Sequence, residues 1–492
     1  MGAAPIGRPF GSPDGARFIV LLDTDLSDAS ADEVLVLFEH GAPTPLMLAA
    51  QEGTSPLIPS AGGPFPPFSF DPVQGINNAG SYAFSGLDDR PSTSNDGFVA
   101  KVVGGVVAMV VQEATTPASS VGTGVFFGSL QGSVSIAADN TVSFIHNLSG
   151  SVVATNDTGM FGNDGAALLA REGVSIPGNQ VDNIGVPTAF TFKSFDFGSV
   201  STGMSRDAGA ALFLSSGAIN ASTNLPTTSG VDRVLVVGQA GQIAAVVQEN
   251  VILPGTGFTL GTDDVAPFSS ARMEAHGDWF ACGGNRNQLD WVLRSGEVVA
   301  TTDAPIAAGS GELFDDTDLS GTFFLASGNA WGEWVVGGST NAANGLTDEV
   351  VVLNNATVLC RENDPVDLNA NGQFDDNTYI QAFLKDRAFL ADGALYAAVR
   401  LRDGAAAGGC GPDVEVGQAI IRVAFTPLPR CGSADFNADG DTGTDLDIEA
   451  FFACLGGNCC PTCGSADFNA DGDTGTDIDI EAFFRVLAGG SC

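Results

Sequence analysis

A short apolar segment preceded by an aspartate recurs along the first 430 residues. Each segment is four to eight residues long, rich in β-branched and aromatic side chains, and bounded by Gly, Asn or Pro. Such segments are typical of β-strands. The copies follow one another at intervals of 64, 68, 68, 58 and 58 residues, with a looser seventh copy, and begin at Asp32, Asp96, Asp164, Asp232, Asp290, Asp348 and Asp413.

A second apolar strand follows in most copies and ends in an acid. If the repeats form a ring, these acids lie at similar heights around it, where they could bind cations or sugar hydroxyls. The alternative is that they are solvated strand ends that discourage edge pairing. The acids are Glu52, Glu113, Glu172, Glu249, Asp303 and Glu362.

The repeats predict an all-β body over residues 1–430. The nearest approach to a helical pattern, residues 380–390, is short and falls where a strand is due. Six or seven units of about 60 residues, each with three or four strands, favour a β-propeller. Stacked β-sandwiches and a solenoid are the alternatives. The strand at residues 18–22 and the final strand, at residues 420–421, could complete one blade between them.

Residues 431–492 have a different pattern, in which one 22-residue motif occurs twice. The copy starting at Cys431 reappears from Cys463 with a single change, Leu446 to Ile478. Each copy opens with Asp-x-Asn-x-Asp-Gly, the order of oxygen ligands and turn glycine that wraps a calcium ion. The predicted ligands are Asp435, Asn437, Asp439, Asp441, Asp445 and Asp447 in the first copy, and Asp467, Asn469, Asp471, Asp473, Asp477 and Asp479 in the second.

A short amphipathic helix is predicted after each loop. Apolar residues recur at the i, i+3, i+4 and i+7 positions in both copies, and a glycine follows each run. We expect the two phenylalanine stripes to face each other and form the core of a small α-helical calcium module. The apolar positions are Ile448, Phe451, Phe452 and Leu455, then Ile480, Phe483, Phe484 and Leu487.

The net charge of the chain excludes some classes of binding partner. The 492 residues carry 58 acidic and 19 basic side chains, for a net charge of −39. So few basic residues exclude a phosphate-binding surface, and therefore nucleic acid and anionic lipid as partners. A surplus of carboxylates suits a protein that binds calcium. A run of 18 apolar residues is also missing, so we expect no membrane span.

Cysteine is concentrated in the same C-terminal segment, which holds six of the nine cysteines. That density predicts disulfides and an oxidising compartment. Zinc is the rival interpretation, but the segment has no histidine and no pair of Cys-x-x-Cys knuckles. The first ten residues lack the features of an export signal. We therefore expect either a translation start further upstream or a mature form.

The duplicated segment resembles the dockerin family, and in particular the GC-type dockerin-like anchor modules of planctomycete exported proteins. The resemblance implies calcium-dependent folding and attachment outside the cytoplasm, through a cohesin-like or cell-envelope partner. A dockerin has its last ligand at loop position twelve, where this chain has Leu446 and Ile478. Asp445 or Asp447, and Asp477 or Asp479, would then supply it. The body resembles repeat proteins from the same setting only diffusely.

The duplication also suggests how the cysteines pair. Two spacings of 29 residues favour one bridge within each copy, and the remaining two cysteines would then bond to each other. Six cysteines allow 15 connectivities, so this pairing is a hypothesis. The predicted bridges are Cys431–Cys460, Cys463–Cys492 and Cys454–Cys459.

A third loop of similar pattern lies in the body, where Asp-x-Asn-x-Asn-Gly is followed by two aspartates. It is either a further calcium loop or a plain Asn-Gly hairpin turn. The candidate ligands are Asp367, Asn369, Asn371 and Asp375, with Asp376 beside them.

Recognisable catalytic motifs are scarce. The three histidines, His40, His146 and His276, lie outside any metal-binding or nucleophile spacing. The sequence therefore favours a non-enzymatic extracellular or cell-surface display or binding protein, whose body binds a glycan or a protein and whose tail anchors it. The alternative is a secreted carbohydrate-active hydrolase with a β-propeller catalytic domain and the same tail.

Overall fold

The chain forms two compact units. The first comprises Met1–Ala330 and Trp334–Ala424, and the second Phe425–Cys492 with Trp331–Glu333. The computed structural model describes residues 6–23, 32–40, 46–52, 59–60, 63–64, 68–88, 95–181, 186–195, 203–207, 210–219, 232–239, 242–249, 251, 268–274, 277–284, 290–315, 322–404, 415–427, 432–469 and 473–488.

Within those ranges, the first unit contains seven consecutive antiparallel sheets and one short hairpin. The first three sheets are four-stranded. Sheet 1 comprises β1 (Phe10–Gly11), β2 (Arg17–Asp23), β3 (Glu33–Glu39) and β4 (Leu46–Gln51). The hairpin pairs β5 (Pro59–Ser60) with β6 (Gly63–Pro64). Sheet 2 comprises β7 (Phe68–Ile76), β8 (Tyr82–Asp88), β9 (Gly97–Val103) and β10 (Val106–Gln112). Sheet 3 comprises β11 (Val125–Ile136), β12 (Val142–Gly150), β13 (Thr158–Gly162) and β14 (Ala167–Arg171).

The other four sheets have five, four, four and three strands among the residues described. Sheet 4 comprises β15 (Phe192–Phe195), β16 (Gly203–Asp207), β17 (Ala210–Ile219), β18 (Arg233–Gln239) and β19 (Gln242–Gln248). Sheet 5 comprises β20 (Phe268–Met273), β21 (Trp279–Gly283), β22 (Trp291–Arg294) and β23 (Glu297–Thr301). Sheet 6 comprises β24 (Phe323–Gly328), β25 (Trp334–Ser339), β26 (Glu349–Leu353) and β27 (Thr357–Arg361). Sheet 7 comprises β28 (Thr378–Ala391), β29 (Ala394–Asp403) and β30 (Glu415–Ala424).

Strand order follows chain order in every sheet except sheet 4, where β15 and β16 both pair with β17. Tight turns make this possible. Between β9 and β10, for example, Gly104 and Gly105 both have positive φ, 57° and 78°. A two-residue hairpin needs that conformation at both positions, and glycine adopts it without strain.

Each sheet packs on the next through apolar side chains, and the last packs on the first. Separate buried clusters join sheets 1 and 2, 2 and 3, 3 and 4, 4 and 5, and 5 and 6. Sheets 6 and 7 meet through the stacked rings of Phe324 and Phe383. A final cluster containing Phe18 and Tyr396 joins sheet 1 to sheet 7. Seven antiparallel sheets packed in a closed ring form a β-propeller of seven blades among the residues described, which confirms the predicted propeller of six or seven units.

The closure differs in one respect from the sequence-based expectation. The described strands at the two chain ends do not share a blade, since β2 pairs with β1 and β3 while β30 pairs with β29. The ring closes instead by side-chain packing and by the N-terminal segment. The Ile6 amide donates to Gln418 Oε1 at 3.1 Å, and Arg387 donates to the Ile6 carbonyl. The two-residue strand β1 pairs with β2, at the edge where a strand from the C-terminal end would pair in a shared blade.

The second unit contains the two predicted helices, α1 (Asp445–Leu455) and α2 (Asp477–Leu487). Gly456 follows α1 directly, as predicted, while Gly489 lies outside the described residues. The rings of Phe451 and Phe483 stack with centroids 4.1 Å apart. Phe436 and Phe468, from the loops, complete the core. A helix of this length is marginal alone, so this packing is what stabilises the pair.

Candidate functional site

The first tail loop is organised by Asp435, the first predicted ligand. Its two carboxylate oxygens accept the backbone amides of Asp439 and Gly440, both at 3.1 Å. Asn437 Oδ1 accepts the Asp439 amide at 2.9 Å, and Asp439 Oδ1 accepts that of Asp441 at 2.9 Å. Side-chain oxygens at alternate positions therefore wrap the backbone into a compact turn.

Two positive φ angles let the loop turn this sharply. Ala438 has φ 58° and Gly440 has φ 94°. Gly440 occupies the sixth position of the motif, where glycine is required for the bend. Sequence analysis identified that glycine but did not single out the alanine, because alanine rarely adopts the left-handed conformation.

Asp447 has a different role from the other acids of the loop. It is buried, and its Oδ1 accepts the amides of Phe436 and Asn437 at 2.8 and 3.3 Å. Its Oδ2 accepts the amide and hydroxyl of Thr444 at 2.8 and 2.9 Å. Thr444 and Asp447 thus form a capping box at the start of α1.

The hydrogen bonds around Asp447 also set its charge state. Burial alone would raise the pKa of this carboxyl, but the four donors outweigh burial and hold the pKa below its usual range. Both oxygens are engaged as acceptors. Of the two residues proposed for the last ligand, the geometry therefore favours the exposed Asp445 over Asp447.

The second loop repeats this arrangement. Asp479 Oδ1 accepts the amides of Phe468 and Asn469 at 2.7 and 3.3 Å, and its Oδ2 accepts the amide and hydroxyl of Thr476. Opposing effects of burial and hydrogen bonds again leave the pKa of Asp479 below its usual range. Asp473 and Asp477 are exposed. Asp471 lies outside the described residues.

Sequence analysis missed the two capping threonines. The spacing Thr-x-x-Asp before an apolar run, at residues 444–447 and 476–479, is a capping-box signal and could have assigned these aspartates to the helix ends. Two serines were missed as well. Ser433 and Ser465 accept the amides of Asp435 and Asp467, each at 3.1 Å.

The body loop at residues 367–376 has the same internal frame as the first tail loop. Asp367 accepts the amides of Asn371 and Gly372 at 3.2 and 2.8 Å. Asn369 Oδ1 accepts the Asn371 amide at 3.0 Å, and Asn371 Oδ1 accepts that of Gln373 at 2.7 Å. The corresponding bonds of the tail loop start from the same motif positions.

The match extends to the backbone and to the closing aspartate. Ala370 and Gly372 have φ 55° and 82°, as the alanine and glycine of the tail loop do. Asp376 accepts the Leu368 amide at 2.8 Å and thus takes the place that Asp447 holds in the tail. Asp375 is exposed and makes no contact that defines the loop. A plain two-residue hairpin turn does not account for this frame.

In all three loops, side-chain oxygens are directed mainly at the loops' own amides. Among the described residues, no three His, Cys, Asp or Glu side chains converge in the manner of a preformed metal site. The donor set of each loop is hard oxygen from Asp and Asn, which suits Ca²⁺ and not zinc or copper. Asp435, Asn437, Asp439 and Asp445 are the first-loop residues with oxygens suited to that ion.

The repeat-equivalent acids of the body lie at one position of the blade, the end of the last strand, with one exception. The amides of Glu52, Glu113, Glu172, Glu249 and Glu362 each donate to a carbonyl at the start of the preceding strand. In sheet 5 the equivalent residue is Thr302, not Asp303. The Thr302 amide donates to the Asp290 carbonyl at 3.0 Å, and the Asp290 amide donates to the Thr302 hydroxyl at 3.0 Å. In sheet 3 the aspartate before the third strand is Asp157, and Asp164 belongs to the turn before β14.

The disulfides of the tail agree only in part with the predicted pairing. Cys454 bonds to Cys459, as expected. Cys460 bonds to Cys463, so the predicted bridges from these two cysteines to Cys431 and Cys492 are wrong. A turn in which the Cys463 amide donates to the Cys460 carbonyl brings the two together. Symmetry of spacing did not reveal that local turn.

The two histidines within the described ranges serve packing and hydrogen bonding. His146 is buried between the rings of Phe127 and Phe144, and burial lowers its pKa to about 4. His40 Nδ1 lies 2.5 Å from the hydroxyl of Tyr396, which links sheet 1 to sheet 7. Neither is paired with a nucleophile in these contacts.

Comparisons with known proteins give distant likenesses only. No family model and no curated protein matches the chain. Among solved structures, the Dos1 propeller is 8% identical, covers 86% of this chain and 94% of its own, and has a TM-score of 0.35. A PL25 ulvan lyase is 10% identical, covers 86% and 95%, and has a TM-score of 0.36. The β-propeller domain of the Trilobed protease from Pyrococcus furiosus is 10% identical, covers 74% of this chain and 100% of its own, and has a TM-score of 0.31.

Proposed function

We propose that this protein is a non-enzymatic display or binding protein of the cell surface or extracellular space, anchored by a calcium-binding tail. The observation that carries the proposal is the shared frame of the three Asp-x-Asn loops. The tail loops repeat one frame of amide bonds to Asp447 and Asp479, and the body loop reproduces the frame of Asp435.

Calcium would bind where the loop oxygens and exposed acids of each copy meet. Asp435 and Asp439 supply carboxylates, Asn437 an amide oxygen, and Asp445 the final carboxylate. Six acids lie within the fifteen residues from Asp435 to Glu449, and a divalent ion would relieve their mutual repulsion. The tail therefore gains stability when the ion binds.

The location follows from the tail as well. Its disulfides Cys454–Cys459 and Cys460–Cys463 suit an oxidising compartment. We therefore propose that the tail attaches the chain to a cohesin-like or cell-envelope partner. The propeller would present a glycan- or protein-binding surface. No helix in the described part of the chain is long and apolar enough to cross a membrane.

Calcium titration of the full chain tests the proposal. We expect saturable binding of Ca²⁺ by calorimetry, together with a rise in the thermal stability of the tail. Asp435→Asn and Asp467→Asn, which remove one charge from the first position of each tail loop, should each weaken one site by about tenfold or more. Glu449→Gln removes one exposed charge from α1 without touching a loop oxygen, and should change both affinities far less than either aspartate substitution.

The same titration addresses the body loop. Asp367→Asn should abolish a third, separate binding event and leave the tail sites intact. If the wild-type chain bound no Ca²⁺ at millimolar concentration, the calcium-anchor function would be refuted. If Asp435→Asn and Glu449→Gln weakened binding equally, the acids would act only as a diffuse charge.

A further inference from the structure

In four blades of the propeller, two carboxyl groups are neighbours and interact. In each, the glutamate at the end of the fourth strand meets the aspartate that precedes the third strand of the same sheet. The positions are equivalent in sheets 1, 2, 3 and 6. The pairs are Asp32–Glu52, Asp96–Glu113, Asp157–Glu172 and Asp348–Glu362.

A backbone frame holds each glutamate in place. The amides of Glu113 and Glu172, for example, donate at 2.8 and 3.0 Å to the carbonyls of Gly97 and Thr158. The Gly97 amide returns a hydrogen bond to Glu113 Oε2 at 3.2 Å. Strand pairing therefore fixes the main chain of each glutamate beside the residue that follows its aspartate, and in sheet 2 the Gly97 amide also holds the carboxyl group.

Two ionised carboxylates are both acceptors, so a hydrogen bond between them requires a proton on one of the two. Burial strengthens this requirement. Glu172 and Glu362 are 7% and 6% exposed. A second negative charge at such a site would lack water and face a like charge nearby.

The charged groups around the two most buried pairs are mainly acidic. Glu172 faces Asp157, while the neighbouring Arg171 donates to the Asn156 carbonyl at 2.9 Å. Glu362 faces the acids Glu349 and Asp348 and one cation, Arg402, which donates to Asn363 Oδ1 at 2.7 Å. Adjacent to Glu362, Arg361 is paired with Glu312 at 2.7 Å.

These buried, mainly acidic surroundings raise the pKa values of the glutamates. Burial, then the hydrogen bond to Asp157, raises the pKa of Glu172 to about 7. Burial, then Glu349 and Asp348, raises the pKa of Glu362 to about 8, with Arg402 opposing. The pKa values of Glu52 and Glu113 are also raised, chiefly by burial.

Two of the pairs, those of sheets 1 and 6, adjoin a contact with the next blade. In sheet 1, Glu33 adjoins Asp32 and accepts the Phe70 amide of sheet 2 at 3.2 Å. In sheet 6, Glu349 adjoins Asp348 and accepts the Phe383 amide of sheet 7 at 2.8 Å. A repulsion that displaced these strand ends would therefore reach the interface between blades.

We propose that each of the four carboxyl pairs holds a shared proton, and that losing these protons as the pH rises loosens the ends of the blades. The propeller is then a pH-responsive structure, most stable in mildly acidic surroundings. The body's response is independent of whether the tail binds calcium.

The direction of the effect follows from the raised pKa values. A carboxyl that holds its proton more tightly when folded contributes stability at low pH, and this contribution is lost between its unfolded pKa of about 4.3 and its folded pKa. For Glu172 and Glu362 the loss ends near pH 7 and 8. Glutamine at either position donates an amide hydrogen bond to the aspartate at every pH.

Thermal unfolding of the full chain between about pH 5 and pH 9, at constant calcium, tests the proposal. The wild-type melting temperature should fall by about 2–4 °C or more across this range. Glu172→Gln, Glu362→Gln and their combination should reduce the fall, the double variant by about half. Glu297→Gln, an exposed change on β23, should behave as the wild type.

Infrared spectroscopy gives a readout independent of stability. The absorption of protonated carboxyl groups should persist near pH 6 in the wild-type chain and decrease in each glutamine variant. Equal pH dependence of wild type and double variant would overturn the proposal, as would a protonated-carboxyl signal unchanged by both substitutions.

Discussion

At the residue scale, identical side chains have different roles because the backbone around them differs. Asp445 and Asp447 are two positions apart on α1, yet Asp445 is exposed and Asp447 is buried with four hydrogen-bond donors. The sequence shows two equally acidic residues. Only the capping geometry separates a structural carboxylate from one that is free to meet an ion.

Removing the capping carboxylate should destabilise the tail even when calcium is saturating. We expect Asp447→Ala to lower the free energy of unfolding of the second unit by about 2 kcal/mol, because it deletes the helix cap and leaves buried amides without an acceptor. The helical circular dichroism signal against urea measures this. Glu449→Ala, an exposed change on the same helix, should change the free energy of unfolding by less than about 0.5 kcal/mol.

At the element scale, local pattern identified strands and helices but not every register. The helix-like spacing of residues 380–390 lies within β28, a strand that pairs with β29 along its length. A register shift between Phe383 and Ala388, with Asp386 at φ 55°, produces the irregular spacing. Pairing with a neighbouring strand outweighs a short periodic pattern, because so short a helix is marginal alone.

The two tail helices should depend on one of two adjacent phenylalanines and not on the other. Phe451 is fully buried against Phe483, whereas Phe452 is 46% exposed. We expect Phe451→Ala to cost about 3–5 kcal/mol of tail stability and Phe452→Ala about 1 kcal/mol or less. Urea unfolding at saturating calcium compares them. Equal costs would contradict the observed packing of the helices.

At the scale of the whole propeller, seven small sheets become one structure because each buries its faces against two neighbours. A four-stranded sheet alone would leave both faces and both edges exposed. The interface between sheets 1 and 7 completes the ring, and Phe18 lies at its centre. Its ring centroid is 4.6 Å from that of Phe38, 5.2 Å from Tyr396 and 5.5 Å from Phe389.

Opening this interface should therefore affect every blade and not only the first. We expect Phe18→Ala to lower the free energy of unfolding of the body by about 3–5 kcal/mol while the transition remains single. Urea denaturation followed by tryptophan fluorescence measures it, since Trp279 and Trp291 lie in the distant sheet 5. Phe374→Ala, at a 66% exposed position, is the control. A transition confined to sheet 1 would contradict a cooperative ring.

The amino-acid sequence by itself determined the strand repeats, the all-β body, the two helices and the duplicated Asp-x-Asn-x-Asp-Gly loops, because these follow from local periodicity and turn chemistry. The tertiary structure decided what depends on residues far apart in the chain or on the turn between them. It set the number of blades, the closure between sheets 1 and 7, and the pairing of Cys460 with Cys463. It also brought Asp157 next to Glu172, since the Glu172 amide pairs with the carbonyl of Thr158, the residue after Asp157.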